Sequence, residues 1–327
     1  METARMPRLG GAITALVTPF RHGGLDRPAL RALAEWQILS GVDGLAVCSV
    51  SGEGPTLSPQ ERAEVIDLSI RSAADRVCVI AATGTNSTES TIALTREAEA
   101  LGAAAVLVTV PYYSKPGQKG IIHHFEQVAA ASGLPVIVDN APAQTASDLS
   151  TETLGRLAAI PGIVGIRDAT GDIARFAGLS PILRQRFRFF SGHDPSALAF
   201  TIAGGDGAIS PGANVLPRLF TSMQQAARAG NLSAARSLQD RLLPLISALG
   251  PEGDPARIKY ALRLMRGLGA ELRLPLVAAE PEMRFAIGKA LAPSLTKAAP
   301  RWRYPYEIFI FSSQAPNGNP IRLALSF

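Results

Sequence analysis

The sequence predicts a (β/α)8 TIM barrel, class α/β, followed by a C-terminal helical appendage. Short apolar, β-branched runs alternate along the chain with longer segments of helical period. The runs are continuously apolar, as strands of a parallel sheet buried on both faces are. Eight such units fit into about 230 residues, the size of a closed barrel. An open dinucleotide-binding sheet fits less well, because no G-x-G-x-x-G follows the first strand.

The first strand is read over Ala12–Val17. Arg5 and Arg8 ahead of the apolar stretch Leu9–Phe20 imitate a short signal peptide. Thr14, Thr18 and Pro19 interrupt that stretch, and no small-residue cleavage site follows it. The remaining strands are read over Gly44–Cys48, Val77–Ala81, Ala104–Val110, Pro135–Val138, Ile163–Ile166, Phe187–Phe190 and Gly207–Ile209. Helices such as Ser58–Ala73 and Ser90–Leu101 separate them, and Ser58 with Glu61 three residues on has the spacing of a capping box. The barrel thus takes residues 1–230. Strand signals then cease, and Leu232–Leu249, Pro255–Leu268 and Pro281–Leu291 read as helices of a small domain over 231–295. Residues 296–327 form an aromatic-rich tail with Trp302, Tyr304, Tyr306, Phe309, Phe311 and Phe327. Tyr306–Phe311 alternates like a strand and Asn317–Pro320 reads as a turn. Such a tail either packs over the protein's own surface or swaps onto a partner subunit.

The 47% hydrophobic and 18% charged side chains exclude a mainly disordered chain. The longest apolar runs, such as Ala103–Val110, stop well short of the ~20 residues a bilayer needs, so no membrane partner is expected. The net charge of +5 would suit nucleic acid, but the arginines are scattered among acids with no basic run interleaved with aromatics. Nucleic acid is not an expected partner. Cys48 and Cys78 lie in apolar stretches without metal-type spacing and read as reduced core thiols of a cytoplasmic protein.

In a barrel, chemistry gathers at the C-terminal ends of the strands. Those positions hold Thr18, the loop Ser49–Glu53, Thr83, Tyr112, Tyr113, Asp139, Asn140, Arg167, Asp168, His193, Asp194 and Ser210. Two hydroxyls and the backbone N–H groups around Gly52 make either a small anion cradle or an ordinary approach to a helix. Tyr112 and Tyr113 read as a wall. Asp139 and Arg167 end strands five and six, which are neighbours in such a barrel. If both point into the mouth, each buried charge needs a partner, and an ion pair with a forked guanidinium is the natural solution. Otherwise one or both point outward and cap helices.

Several motifs together are similar to those of the dihydrodipicolinate synthase/N-acetylneuraminate lyase family. They are Ala15–Phe20 (ALVTPF), Ser51-Gly52-Glu53 with Thr56-Leu57, Thr85–Thr88, Pro111–Pro116 (PYYSKP), Ile163–Asp168 (IVGIRD), Ser191-Gly192 and Gly204–Ser210 (GGDGAIS). They occur in order from about Gly10 to Leu291. The resemblance implies a TIM barrel with a C-terminal helical domain, assembled as a homotetramer or dimer. It also implies a class I aldolase-type lyase in which a lysine ending strand six forms a Schiff base with pyruvate or another 2-oxo acid. A tyrosine ending strand five then relays protons, helped by a hydroxyl after strand two and a tyrosine from a neighbouring subunit.

The chain departs from that pattern at the reacting positions. Arg167 stands at the lysine position, Asp139 at the relay tyrosine, Val50 at the loop threonine, and Gln144 at the arginine that holds a second carboxylate. A guanidinium stays protonated and cannot act as the amine nucleophile of an imine. Ser51 and Gly52 match the carboxylate cradle, Tyr113 the inter-subunit tyrosine and Ile209 the residue beside the ligand after strand eight. None of Lys115, Lys119, Lys259, Lys289 and Lys297 ends a barrel strand. The candidate catalytic residues are therefore Arg167, Asp139 and Tyr113, and the candidate binding residues are Ser49, Val50, Ser51, Gly52, Gln144 and Ile209.

The expected function is binding of a small carboxylated ligand, a 2-oxo acid or sugar acid, without Schiff-base chemistry. Any remaining lyase or hydratase-like step would use Arg167 as electrostatic stabiliser and Asp139 as acid/base. An ion-paired carboxylate is a weak base near neutrality, which favours binding. The alternatives are ordinary pyruvate-dependent lyase activity, a metal-dependent aldolase using Glu53, Asp139, Asp168, His193 and Asp194, and a non-catalytic regulatory or structural oligomer. No cofactor and no metal are expected.

Overall fold

A computed structural model describes residues 9–250 and 253–295. Eight parallel strands close into a barrel: β1 (Gly11–Ala15), β2 (Gly44–Val47), β3 (Cys78–Ala82), β4 (Ala105–Thr109), β5 (Val136–Asn140), β6 (Ile163–Asp168), β7 (Arg188–Ser191) and β8 (Gly207–Ser210). Each pairs with its neighbours in chain order, and β8 returns to β1. All eight expected strands are present, displaced by one or two residues at their ends. The first strand stops at Ala15 because the chain leaves the ladder there: the Val17 N–H turns to Asn214 Oδ1 at 3.1 Å. A two-stranded ribbon, Phe20–Arg21 with Gly24–Leu25, follows β1 and gave no recognisable signal in so few residues.

Alternation along each strand sorts side chains into two cores. Ile13, Ala46, Ile80, Leu107, Ile137, Phe190 and Ile209 fill the barrel interior. Leu45, Val79, Val106, Val108, Val138 and Ile166 face the surrounding helices.

The helices are α1 (Arg27–Leu39), α2 (Pro59–Ala73), α3 (Thr88–Ala100), α4 (Gln118–Ala130), α5 (Thr151–Leu157), α6 (Ile173–Ala177), α7 (Pro181–Arg186), α8 (Ala197–Ile202) and α9 (Pro217–Arg228). Helix α2 starts with a complete capping box: Glu61 N–H donates to Ser58 Oγ, and Ser58 N–H donates to the Glu61 carboxylate. Beyond the barrel lie α10 (Leu232–Leu249), α11 (Pro255–Arg266) and α12 (Pro281–Leu295). Helix α11 ends two residues earlier than expected because Gly267 adopts a left-handed cap, with φ 73°. Helix α12 runs four residues further than expected. The aromatic tail lies outside the described residues.

Among the described residues no helix is long and apolar enough to cross a membrane. Cys48 is buried and Cys78 half-buried, both as free thiols, and burial pushes each thiol up to about 11.

Candidate functional site

Strand alternation and register together build the centre of the mouth. Leu107 and Ile137 point into the barrel, so two residues on Thr109 and Asp139 do as well. Between β5 and β6 the register shifts at Val136/Ile137: Val136 pairs with Ile163, but Ile137 pairs with Gly165. This irregularity brings Arg167 opposite Asp139. Without it, Asp139 would face Ile166.

Arg167 and Asp139 form an ion pair, Nη1 to Oδ1 at 2.7 Å, with side chains only 10% and 8% exposed. The guanidinium also donates from Nε to the Ile209 carbonyl and from Nη2 to the Gly192 carbonyl, both at 3.2 Å. The second Asp139 oxygen accepts the Thr109 hydroxyl at 3.1 Å. Arg167 therefore ties β5, β6, β8 and the turn after β7 together across the mouth. Gly192 makes room for it: a Cβ there would lie 2.8 Å from the guanidinium carbon. Both buried charges are matched, as buried charges must be.

The loop after β2 forms a separate structure. Glu53 N–H donates to the Val50 carbonyl at 2.9 Å and Gly54 N–H to Ser49 at 3.0 Å. The Thr18 hydroxyl donates to the Gly52 carbonyl at 2.7 Å. Ser51 and Gly52 N–H find no acceptor among the described residues, which suits an anion. A Cβ on Gly52 would lie 2.8 Å from the Leu16 carbonyl oxygen, so the tight turn needs glycine. Ser49 Oγ is buried without a partner, while Val50 is 43% exposed.

The other candidates are scattered. Tyr113 is 89% exposed with φ 67°, and no hydrogen bond joins it to Asp139 or Arg167 within the described chain. Gln144 is exposed on a short helical turn, Pro142–Thr145. Ile209 is fully buried; its side chain belongs to the interior core and its carbonyl reaches Arg167.

Several polar groups at strand ends bond to neighbouring turns, loops or helices instead of to Asp139 or Arg167. The Thr83 hydroxyl pairs with Thr95 on α3 at 3.0 Å. Asp168 accepts the Thr170 N–H, and His193 Nδ1 meets Ser196 Oγ at 2.8 Å. Asp194 is buried and accepts the Gly212 N–H at 2.7 Å; burial pushes its carboxyl up. Among the described residues no three His, Cys, Asp or Glu side chains converge in a metal-holding group.

Two contributors escaped sequence reasoning. Thr109 falls inside the strand expected to run to Val110, and its inward parity with Leu107 is the available signal. Lys259 lies fully buried on α11, where it pairs with Glu53. Only its isolation in an apolar helical face hinted at that.

Over residues 8–293 the chain matches the Dihydrodipicolinate synthetase family. It is 43% identical over 267 residues to the 4-hydroxy-tetrahydrodipicolinate synthase of Afipia carboxidovorans, covering 82% of this chain and 90% of that one. To the enzyme of the same name from Rhizobium meliloti it is 44% identical over 282 residues, 86% and 97% of the two chains. Among solved structures, it superposes on the chloride-inhibited dihydrodipicolinate synthase of Acinetobacter baumannii, complexed with pyruvate, with a TM-score of 0.84 and 39% identity. That match covers 86% of this chain and 98% of the other.

Proposed function

This chain belongs to the dihydrodipicolinate synthetase family, and within it we propose that the barrel mouth binds a small 2-oxo acid or sugar acid without forming an imine. The observation that carries this reading is the Arg167–Asp139 pair. Arg167 ends β6 at the position where the resemblance expects a lysine, and its guanidinium is already engaged by one carboxylate and two carbonyls. A guanidinium has no lone pair on a neutral amine with which to attack a ketone.

In this reading the Ser51 and Gly52 N–H groups hold the ligand carboxylate, with Ser49 and Val50 shaping the same loop. Arg167 supplies fixed positive charge beside the carbonyl or hydroxyl of the ligand. Asp139 is an inward-facing carboxylate in contact with Arg167 and the candidate acid/base for any lyase or hydratase-like step. Gln144 and Ile209 border the ligand. The exposed side chain and left-handed backbone of Tyr113 support a role in a neighbouring subunit of a homotetramer or homodimer. The free thiols support a cytoplasmic location. The chemistry requires no cofactor.

The second reading is a pyruvate-dependent aldolase reaction of the synthase type, favoured by the names of relatives at 43% and 44% identity. It needs a lysine amine at the mouth. Lys115, Lys119 and Lys289 are exposed on loop or helix, and the Lys259 ammonium is held by Glu53.

Borohydride trapping with pyruvate and other 2-oxo acids, read by intact mass, separates the two. The expected result is no adduct. A stoichiometric adduct would overturn the first reading and establish the second, and peptide mapping would name the lysine.

A further inference from the structure

We infer that the buried Lys259–Glu53 pair is a positioning device: it clamps helix α11 onto the loop after β2 and holds the Ser51 and Gly52 amides in their anion-gripping orientation. The clamp stands on geometry alone; its consequence for a ligand rests on the proposed carboxylate cradle.

Both side chains are completely buried. Lys259 Nζ meets one oxygen of Glu53, donates to the Glu271 carbonyl at 2.8 Å and lies 4.2 Å from the centre of the Phe20 ring. The other Glu53 oxygen accepts the Arg273 N–H at 3.0 Å. Helix α11 and the segment following it thus converge on one carboxylate at the barrel mouth, with Phe20 beside them. Glu53 is itself left-handed, φ 53° and ψ 34°, a conformation that a residue with a side chain keeps only where its surroundings impose it. That conformation completes the turn whose amides at 51 and 52 are left open. A second contact joins the same pieces: Ser51 Oγ lies 3.5 Å from the carbonyl of Gly253, just ahead of α11.

A buried ion pair is a poor source of stability, because the desolvation of two charges offsets their attraction, and apolar pairs of similar volume are often as stable. What the charges add is direction. One carboxylate with an ammonium on one oxygen and a backbone N–H on the other has a single low-energy placement, whereas two apolar side chains slide. The clamp therefore predicts a variant that folds well and yet loses the loop.

The test is the apolar double variant Glu53→Leu/Lys259→Met in the full chain. Its thermal midpoint is expected to stay within a few degrees of the parent's, the remaining cost being the partners lost by the Glu271 carbonyl and the Arg273 N–H. Hydrogen exchange at the Glu53 and Gly54 amides should accelerate at least tenfold, with the β4 amides unchanged. The dissociation constant for pyruvate, measured by calorimetry, should rise at least fivefold; a purely structural pair would leave it alone at an unchanged midpoint. Parental exchange at Glu53 and Gly54 would overturn the clamp. Loosened exchange with unaltered pyruvate affinity, or no pyruvate binding by the parent, would overturn the cradle and leave the clamp standing on exchange. Should the double variant not fold, Glu53→Gln keeps the shape and the Arg273 contact, and the same exchange measurement decides.

Discussion

Removing Asp139 tests the centre of the mouth most directly. In Asp139→Ala, the Arg167 guanidinium keeps the Ile209 and Gly192 carbonyls at 3.2 Å but loses the carboxylate it is hydrogen-bonded to. Breaking one side of a buried pair costs about 3–5 kcal/mol. The lower end is expected here, because two carbonyls still solvate the cation and its side chain is 10% exposed. At about 2–4 °C per kcal/mol for a chain of this size, the thermal midpoint should fall by roughly 6–12 °C. Arg167→Met leaves the Asp139 carboxylate with the Thr109 hydroxyl alone and should cost a similar amount. The double variant removes both charges and should regain most of the loss, since an apolar replacement of the whole pair is near neutral. Two single losses of about 3 kcal/mol against a nearly neutral double variant give a coupling of about 5–6 kcal/mol, read from equilibrium urea unfolding of the four proteins. A coupling below about 0.5 kcal/mol would refute the reasoning, because two contacting, desolvated charges cannot be energetically independent.

Arg167→Lys alone should not restore borohydride trapping of pyruvate, since Asp139 would hold the new ammonium; Arg167→Lys/Asp139→Tyr/Val50→Thr should trap it, and trapping by the single variant would show that the surrounding changes are incidental. His124 is buried with Nε2 unpartnered and Nδ1 on the Thr88 hydroxyl, and burial pushes it down to about 4. The unfolded chain therefore takes up the proton first, so stability is full above about pH 6.5 and declines by on the order of 3 kcal/mol as pH falls to about 4. Urea midpoints across that range should show the decline in the parent and a flatter curve in His124→Gln; equal slopes would show that His124 does not carry it.

The polar strand ends do not form one continuous rim around the mouth, and the reason is local. A polar residue at the end of a strand serves the next turn or helix as readily as the mouth, and Thr83, Asp168 and His193 do so through Thr95, Thr170 and Ser196. Parity along the strand separates the two cases for Thr109 and Asp139, which share a face with Leu107 and Ile137. It fails after a register shift, where counting by two no longer holds.

The sequence by itself determined the eight strands, the barrel and the helices behind it, because period, caps and burial on both faces are properties of neighbouring residues. It also determined that Asp139 and Arg167 meet if both point inward, because consecutive strands of a barrel are adjacent. Only the tertiary structure decided that they do, through the irregularity between β5 and β6 that brings the two into register. Only the tertiary structure joined Lys259 to Glu53 as well, two residues 206 positions apart. Contacts across that much chain are specified by how helices close over the barrel, and no local pattern of residues encodes them.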